Sequence, residues 1–182
     1  MRTGRLTLVL YNSYDPIKFT EAHRRALARA APIAFWLNCN LAVLDFPFPS
    51  ELRTPKEISD FICDSTSIGK GGQYLEELAK AGRFMHLDMP KNGFPPQLGL
   101  VVLTTSRPWE DRAVDCDFVA GELAKGRSVC LVFGLGPRGV KDSFFELCRQ
   151  HLDVTDQGIP LETCTALASV PVRIMTLLGK YR

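Results

Sequence analysis

The 182-residue chain has no run of 18 or more apolar residues, which excludes a transmembrane helix at the level of sequence. Its six cysteines (Cys39, Cys63, Cys116, Cys130, Cys148, Cys164) include no Cys-x-x-Cys pair, and its three histidines lie far from them along the chain. No zinc-site spacing results, no metal is expected, and the cysteines read as buried reduced thiols. Net charge is only +2, from 22 Lys and Arg against 20 Asp and Glu, so the chain as a whole gives no strong polyanion signal. It has no internal repeat, no low-complexity tract and no linker long enough to separate domains, so residues 1–182 read as a single domain with a real core. The apolar run in MRTGRLTLVLYNSYD is too short for a signal peptide and reads as a first strand; a cytoplasmic location is expected.

What is present is locally biased. The first thirty residues hold six basic side chains (Arg2, Arg5, Lys18, Arg24, Arg25, Arg29) against Asp15 and Glu21. Two readings stand: a patch that meets RNA phosphates, or a solvated helix face.

Apolar runs predict strands over Arg5–Tyr11, Asn40–Asp45, Phe84–Leu87, Leu98–Thr104, Ser128–Phe133 and His151–Val154. Between them the pattern predicts helices over Lys18–Phe35, Thr54–Cys63, Gln73–Ala81, Asp111–Lys125, Lys141–Arg149 and Leu161–Leu178, with Asp64–Gly72 as a loop. Ala22, Ala26 and Ala30 recur every four residues and permit close packing on a sheet, while Thr54-Pro-Lys-Glu57 is a capping box with proline at the first helical position. Alternating elements with unbroken apolar central strands predict an α/β fold: a mainly parallel six-stranded sheet with helices on both faces.

The last third carries the chemistry. Strand 128–133 runs into Gly134-Leu135-Gly136-Pro137-Arg138-Gly139, and strand 151–154 into a second glycine-containing loop and a long apolar helix. Gly-x-Gly-x-x-Gly followed by Asp153 at the end of the next strand fits a dinucleotide fingerprint. Pro137 removes one of the amide donors that such a site aims at pyrophosphate, and only one helix follows Asp153, so a dinucleotide-dependent oxidoreductase is the weaker reading.

Taken together, Thr104-Thr105-Ser106 at the end of an apolar strand, FGLGPRGV and LDVTDQGIPLETCTAL resemble, in order, the three ligand loops of the SPOUT superfamily of S-adenosylmethionine-dependent RNA methyltransferases. Asn12 with Arg29-Ala-Ala looks like the Asn…Arg-Thr-Ala element of its 2′-O-methylating branch. Over its whole length the chain is similar to an uncharacterised archaeal family of unknown function placed near these enzymes. The resemblance implies a C-terminal trefoil knot, S-adenosylmethionine as cofactor, tRNA or rRNA as partner and a homodimer through the last helix. It implies cofactor contacts at Thr104, Thr105, Gly134, Leu135, Gly136, Gly139, Val154, Ile159 and Leu161. Two positions depart from the 2′-O pattern: Gly136 stands where that branch has glutamate, and Pro160-Leu161-Glu162 where it has Ser-Leu-Asn. A catalytically inactive cofactor- or RNA-binding protein of the same fold is therefore an alternative.

Methyl transfer from a sulfonium is an in-line displacement that asks the protein mainly for orientation, plus a base where the nucleophile carries a proton. Arg29, Arg138 and Glu162 are the candidate catalytic residues; Arg138 is a guide for RNA or for the methionine carboxylate, and Glu162 is either a base or a helix-dipole partner. Arg24, Arg25 and Lys70 are the candidate substrate contacts. His23 is read as a helix-face histidine, with a catalytic role as the alternative; Trp36 and Trp109 pack in the apolar interior or stack on bases.

Overall fold

The computed structural model describes residues 3–65, 71–91, 93–136 and 139–181. Lys70 and Arg138 lie outside the described residues. Among the described residues, seven strands form one all-parallel sheet in the order β3-β2-β1-β6-β4-β7-β5. They are β1 (Leu6–Tyr11), β2 (Asn40–Leu44), β3 (Phe84–Leu87), β4 (Leu100–Thr104), β5 (Ala113–Val114), β6 (Val129–Gly134) and β7 (Gln150–Leu152). Every residue of β1 is buried, because it lies between β2 and β6 and is covered on both faces.

The helices are α1 (Glu21–Trp36), α2 (Pro55–Ser65), α3 (Gly71–Lys80), α4 (Cys116–Ala124), α5 (Asp142–Leu147) and α6 (Thr163–Leu178). Apolar residues of α1, α2, α3, α4 and α6 form one core with Leu6, Leu8, Leu10, Val129, Leu131 and Phe133 of the central strands. The alternate residues Val9, Tyr11, Cys130 and Val132 point to the other face, where Phe144 of α5, Cys148 and Leu98 cover them. The fully buried Ala26, Ala30 and Ala34 bring α1 close to the sheet.

The sheet has one strand more than the sequence pattern predicts. Asp115 N-caps α4, its side chain accepting the Phe118 amide at 2.7 Å, so the helix starts at Cys116 instead of Asp111. Glu110–Arg112 ahead of it form a 3-10 turn, and Ala113–Val114 pair with His151–Leu152 as an edge strand. Arg112 holds this edge: its Nη1 donates to the carbonyls of Phe145, Glu146 and Cys148 and its guanidinium lies 4.8 Å from the Trp109 ring centre. The other boundary shifts are small. Gly71 and Gly72 belong to α3, not to the preceding loop, and α5 and α6 are each trimmed by their caps. Pro171 lies inside α6, which continues through it. Among the described residues no helix is long and apolar enough to cross a membrane.

Candidate functional site

The chain climbs the sheet in one direction from β1 to β3, then returns to the other side of β1, so the connections diverge near β1, β6 and β4. In open parallel sheets that reversal, at the carboxyl ends of the strands, leaves a crevice. Here it is a cavity of about 770 Å³, in the size range of small-molecule sites. Its floor is the loop after β4, its walls are the loops after β6 and β7, and its roof is the first half of α1 with Tyr14.

Each loop is anchored by hydrogen bonds. Thr104 Oγ1 donates to Val132 O at 2.8 Å, and the Thr105 amide donates to Leu152 O at 3.0 Å. On the second loop the Leu135 amide donates to Tyr11 O at 2.8 Å, stapling the end of β6 to β1. A Cβ on Gly134 would lie 2.9 Å from Val140 Cγ2 and 3.3 Å from Ser13 Oγ, so a side chain there would displace those two. Gly136 has φ +132°, and a Cβ on it would press on Tyr14 at 3.3 Å.

The third loop is organised by Asp153. Its Oδ1 accepts from the Thr155 amide and hydroxyl, both at 3.0 Å, and its Oδ2 accepts from the Gly158 amide at 2.7 Å. Burial alone would raise its pKa, but the amides of Gly158 and Thr155 outweigh burial and hold the carboxyl below its usual range. Arg173 of α6 clamps the same loop, donating to Val154 O at 3.2 Å and pairing with Asp156 at 2.8 Å.

The roof carries the cations. Glu21 Oε1 accepts from Arg25 Nε and Oε2 from Arg24 Nη1, both at 3.0 Å. The hydrogen bond from Arg25 lowers the Glu21 pKa against a smaller opposing effect of burial. Arg29, one turn on from Arg25, reaches Cys164 Sγ at 3.9 Å. Glu162 Oε2 accepts the amides of Cys164 and Thr165, at 2.9 and 3.2 Å, which makes it the N-cap of α6.

A family model described as protein of unknown function (DUF531) matches residues 6–175. The chain belongs to this family. An uncharacterised protein of Methanocaldococcus jannaschii, MJ0224, is 42% identical over 170 residues, covering 93% of each chain. Among solved structures, a probable methyltransferase from Bordetella pertussis superposes with a TM-score of 0.62 at 17% identity, covering 96% of both chains. The SpoU methyltransferase AviRb from Streptomyces viridochromogenes, solved in complex with AdoMet, gives a TM-score of 0.52 at 10% identity, covering 97% of this chain and 58% of its own. The fold of this DUF531 member is that of the SpoU/SPOUT methyltransferases.

Within that fold, all nine residues named from sequence as cofactor contacts line the cavity: Thr104, Thr105, Gly134, Leu135, Gly136, Gly139, Val154, Ile159 and Leu161. Arg25, Arg29 and Glu162 line it too. Arg24 does not. It turns the other way, its guanidinium 5.3 Å from the Phe61 ring centre and 5.7 Å from that of Phe19. Asp153, the acidic residue of the dinucleotide fingerprint, is engaged through both oxygens with its own loop. Trp109 stacks on Phe145, and Trp36 sits at the far end of α1, away from the cavity. Among the described residues no group of three or more His, Cys, Asp or Glu could hold a metal ion.

Sequence reasoning missed the network behind the roof. His23 is a helix-face histidine, and that face is fully buried. Its Nδ1 accepts the Thr20 amide at 3.1 Å, which puts the proton on Nε2, and Nε2 donates to Asn12 Oδ1 at 2.9 Å. Asn12 Nδ2 in turn donates to the carbonyls of Asp15 and Asp45, at 2.7 and 2.9 Å. The signal was Thr20-x-x-His23, a capping box with histidine in the place of glutamate or glutamine.

Proposed function

We propose that the chain is an S-adenosylmethionine-dependent methyltransferase acting on tRNA or rRNA. One observation carries the reading: three backbone-rich loops at adjacent strand ends close on a cavity whose lining also includes Arg25 and Arg29. The fit to the cofactor rests on this cradle. Gly134 and Gly136 pass close to Val140 and Tyr14 without a side chain, and the main chain of the anchored loops borders the space an adenine ring would fill. Bound there, S-adenosylmethionine supplies a methyl group on an electrophilic sulfonium. In this reading the loops after β6 and β7 hold the adenosine, Thr104 and Thr105 support the methionine end, and Arg25 and Arg29 orient substrate phosphate. Glu162 serves the start of α6, so its carboxylate stabilises the loop in preference to moving a proton.

The knot and the homodimer belong to the same proposal. The apolar stripe Leu167, Val170, Ile174 and Leu178 is buried within the chain's own core, so a partner would meet the outer face, with Thr165, Ser169, Arg173 and Thr176.

Calorimetry with S-adenosylmethionine, S-adenosylhomocysteine, NAD and NADP tests the cavity. Binding of the first two and neither dinucleotide is the expected result; dinucleotide binding alone would overturn the proposal. A second reading, a binder without transferase activity, is favoured by Gly136 at the glutamate position. Tritiated methyl transfer into total RNA from a strain lacking the protein separates the two, since tight cofactor binding without incorporation selects the binder.

A further inference from the structure

We propose that Tyr14 is the platform on which the base of an unpaired target nucleotide stacks at the mouth of the cavity; this inference rests on the methyltransferase reading. Tyr14 lines the cavity and is 51% exposed, so its ring is open to solvent at that site. Its position is built, not incidental. The Tyr14 amide donates to Asn12 Oδ1 at 3.2 Å, and Asn12 is itself fixed by His23 and by two carbonyls. The His23 and Tyr14 rings meet edge to face, at 5.8 Å between centres and 74° between planes. From the other side the glycine loop gives way to it, since any side chain at Gly136 would press on Tyr14 Cα and Cβ.

A fixed, half-open aromatic ring lining the same cavity as Arg25 and Arg29 supplies the two elements that hold single-stranded nucleic acid, a stacking face and cations for the backbone. A paired base keeps both of its faces covered by its neighbours, whereas a base splayed from a loop or bulge offers one to an aromatic side chain. The substrate class is therefore RNA with an unpaired nucleotide at the site of reaction, not regular duplex.

The test compares wild type, Tyr14→Phe and Tyr14→Ala. Filter binding is measured on a mixed-sequence RNA strand of about 12 nucleotides and on the same strand annealed to its complement. It is run with and without S-adenosylhomocysteine, whose own affinity is read by calorimetry. Tyr14→Ala is expected to weaken single-strand binding between about five- and one-hundred-fold. Tyr14→Phe stays near wild type, duplex binding does not respond to the substitution, and affinity for S-adenosylhomocysteine is unchanged. Wild-type single-strand affinity in Tyr14→Ala would overturn the inference. So would an equal loss on duplex, or a parallel loss of S-adenosylhomocysteine affinity, which would assign the ring to the adenosine. A wild-type protein that ignores S-adenosylhomocysteine while keeping Tyr14-dependent single-strand binding would remove the methyltransferase reading and support the platform.

Discussion

Thr163 Oγ1 donates a 2.8 Å hydrogen bond to the carbonyl oxygen of Gly134. The carbonyl belongs to the last residue of β6 and the hydroxyl to the first residue of α6, so the bond ties the start of the second loop to the final helix. Thr163→Val keeps the shape of the side chain and removes the donor. It is expected to lower stability by about 1–2 kcal/mol in urea unfolding, because a half-buried carbonyl is left without its partner. If the cavity holds adenosine, affinity for S-adenosylhomocysteine falls in the same variant. Thr163→Ser restores both.

Asp153 separates loop architecture from ligand binding. An asparagine has one acceptor oxygen, so Asp153→Asn loses either the Thr155 or the Gly158 bond; Asp153→Ala loses all three. Stability is expected to fall by about 1–2 kcal/mol in Asp153→Asn and further in Asp153→Ala. The carboxyl is held below its usual range in the folded chain, so its contribution is present above the unfolded carboxylate pKa of about 4 and is lost as pH falls through the lower folded value. Acid unfolding of the wild type should therefore be steeper than that of Asp153→Asn over that window.

The sequence exposes the sheet because its buried strands are unbroken apolar runs, and apolar runs are visible without any knowledge of contacts. The glycine loop is equally visible, since Gly136, at φ +132°, holds a backbone conformation that other residues rarely adopt. What escapes is whatever depends on a distant partner. Ala113–Val114 is too short to show a period, and becomes a strand only because Arg112 reaches the end of α5 and His151 lies alongside. Arg24 and Arg25 are adjacent and chemically alike, and only the positions of Phe19 and Phe61 turn one inward. His23 looks like any helical histidine until Asn12 is seen eleven residues back, folded against it.

His23 gives the fold a pH dependence of predictable sign. Burial lowers its pKa below the ordinary 6.5, against a weaker opposing pull from Asp15. The unfolded chain then binds a proton that the folded chain does not, so stability is full above the unfolded pKa of 6.5 and declines as pH falls towards the lower folded value. His86, half-buried against Phe48, is shifted the same way by burial and adds to the slope. The carboxylates titrate at lower pH, so between about pH 5 and 6.5 the histidines dominate. His23→Gln keeps an acceptor for the Thr20 amide and cannot protonate. Urea midpoints for this variant should vary less over that window, leaving the share due to His86. An unchanged slope would show that His23 does not drive it.

Arg25 and Arg29 make a last prediction that Arg24 controls. Each residue that neutralises a phosphate of a single strand contributes about 0.7 to the slope of log affinity against log salt. The double variant Arg25→Ala with Arg29→Ala is expected to weaken binding to bulk tRNA and to reduce that slope by about one and a half, while calorimetric affinity for S-adenosylhomocysteine stays within about threefold. Arg24→Ala carries the same loss of one charge on the same helix. Its guanidinium lies over Phe19 and Phe61 instead of at the cavity, so it should cost stability through lost packing and leave the salt slope as in wild type. Equal slopes for Arg24→Ala and Arg25→Ala would mean that RNA responds to the net charge of α1 alone. A change confined to Arg25 and Arg29 would place phosphate at the roof of the cavity, as the proposed methyl transfer to RNA requires.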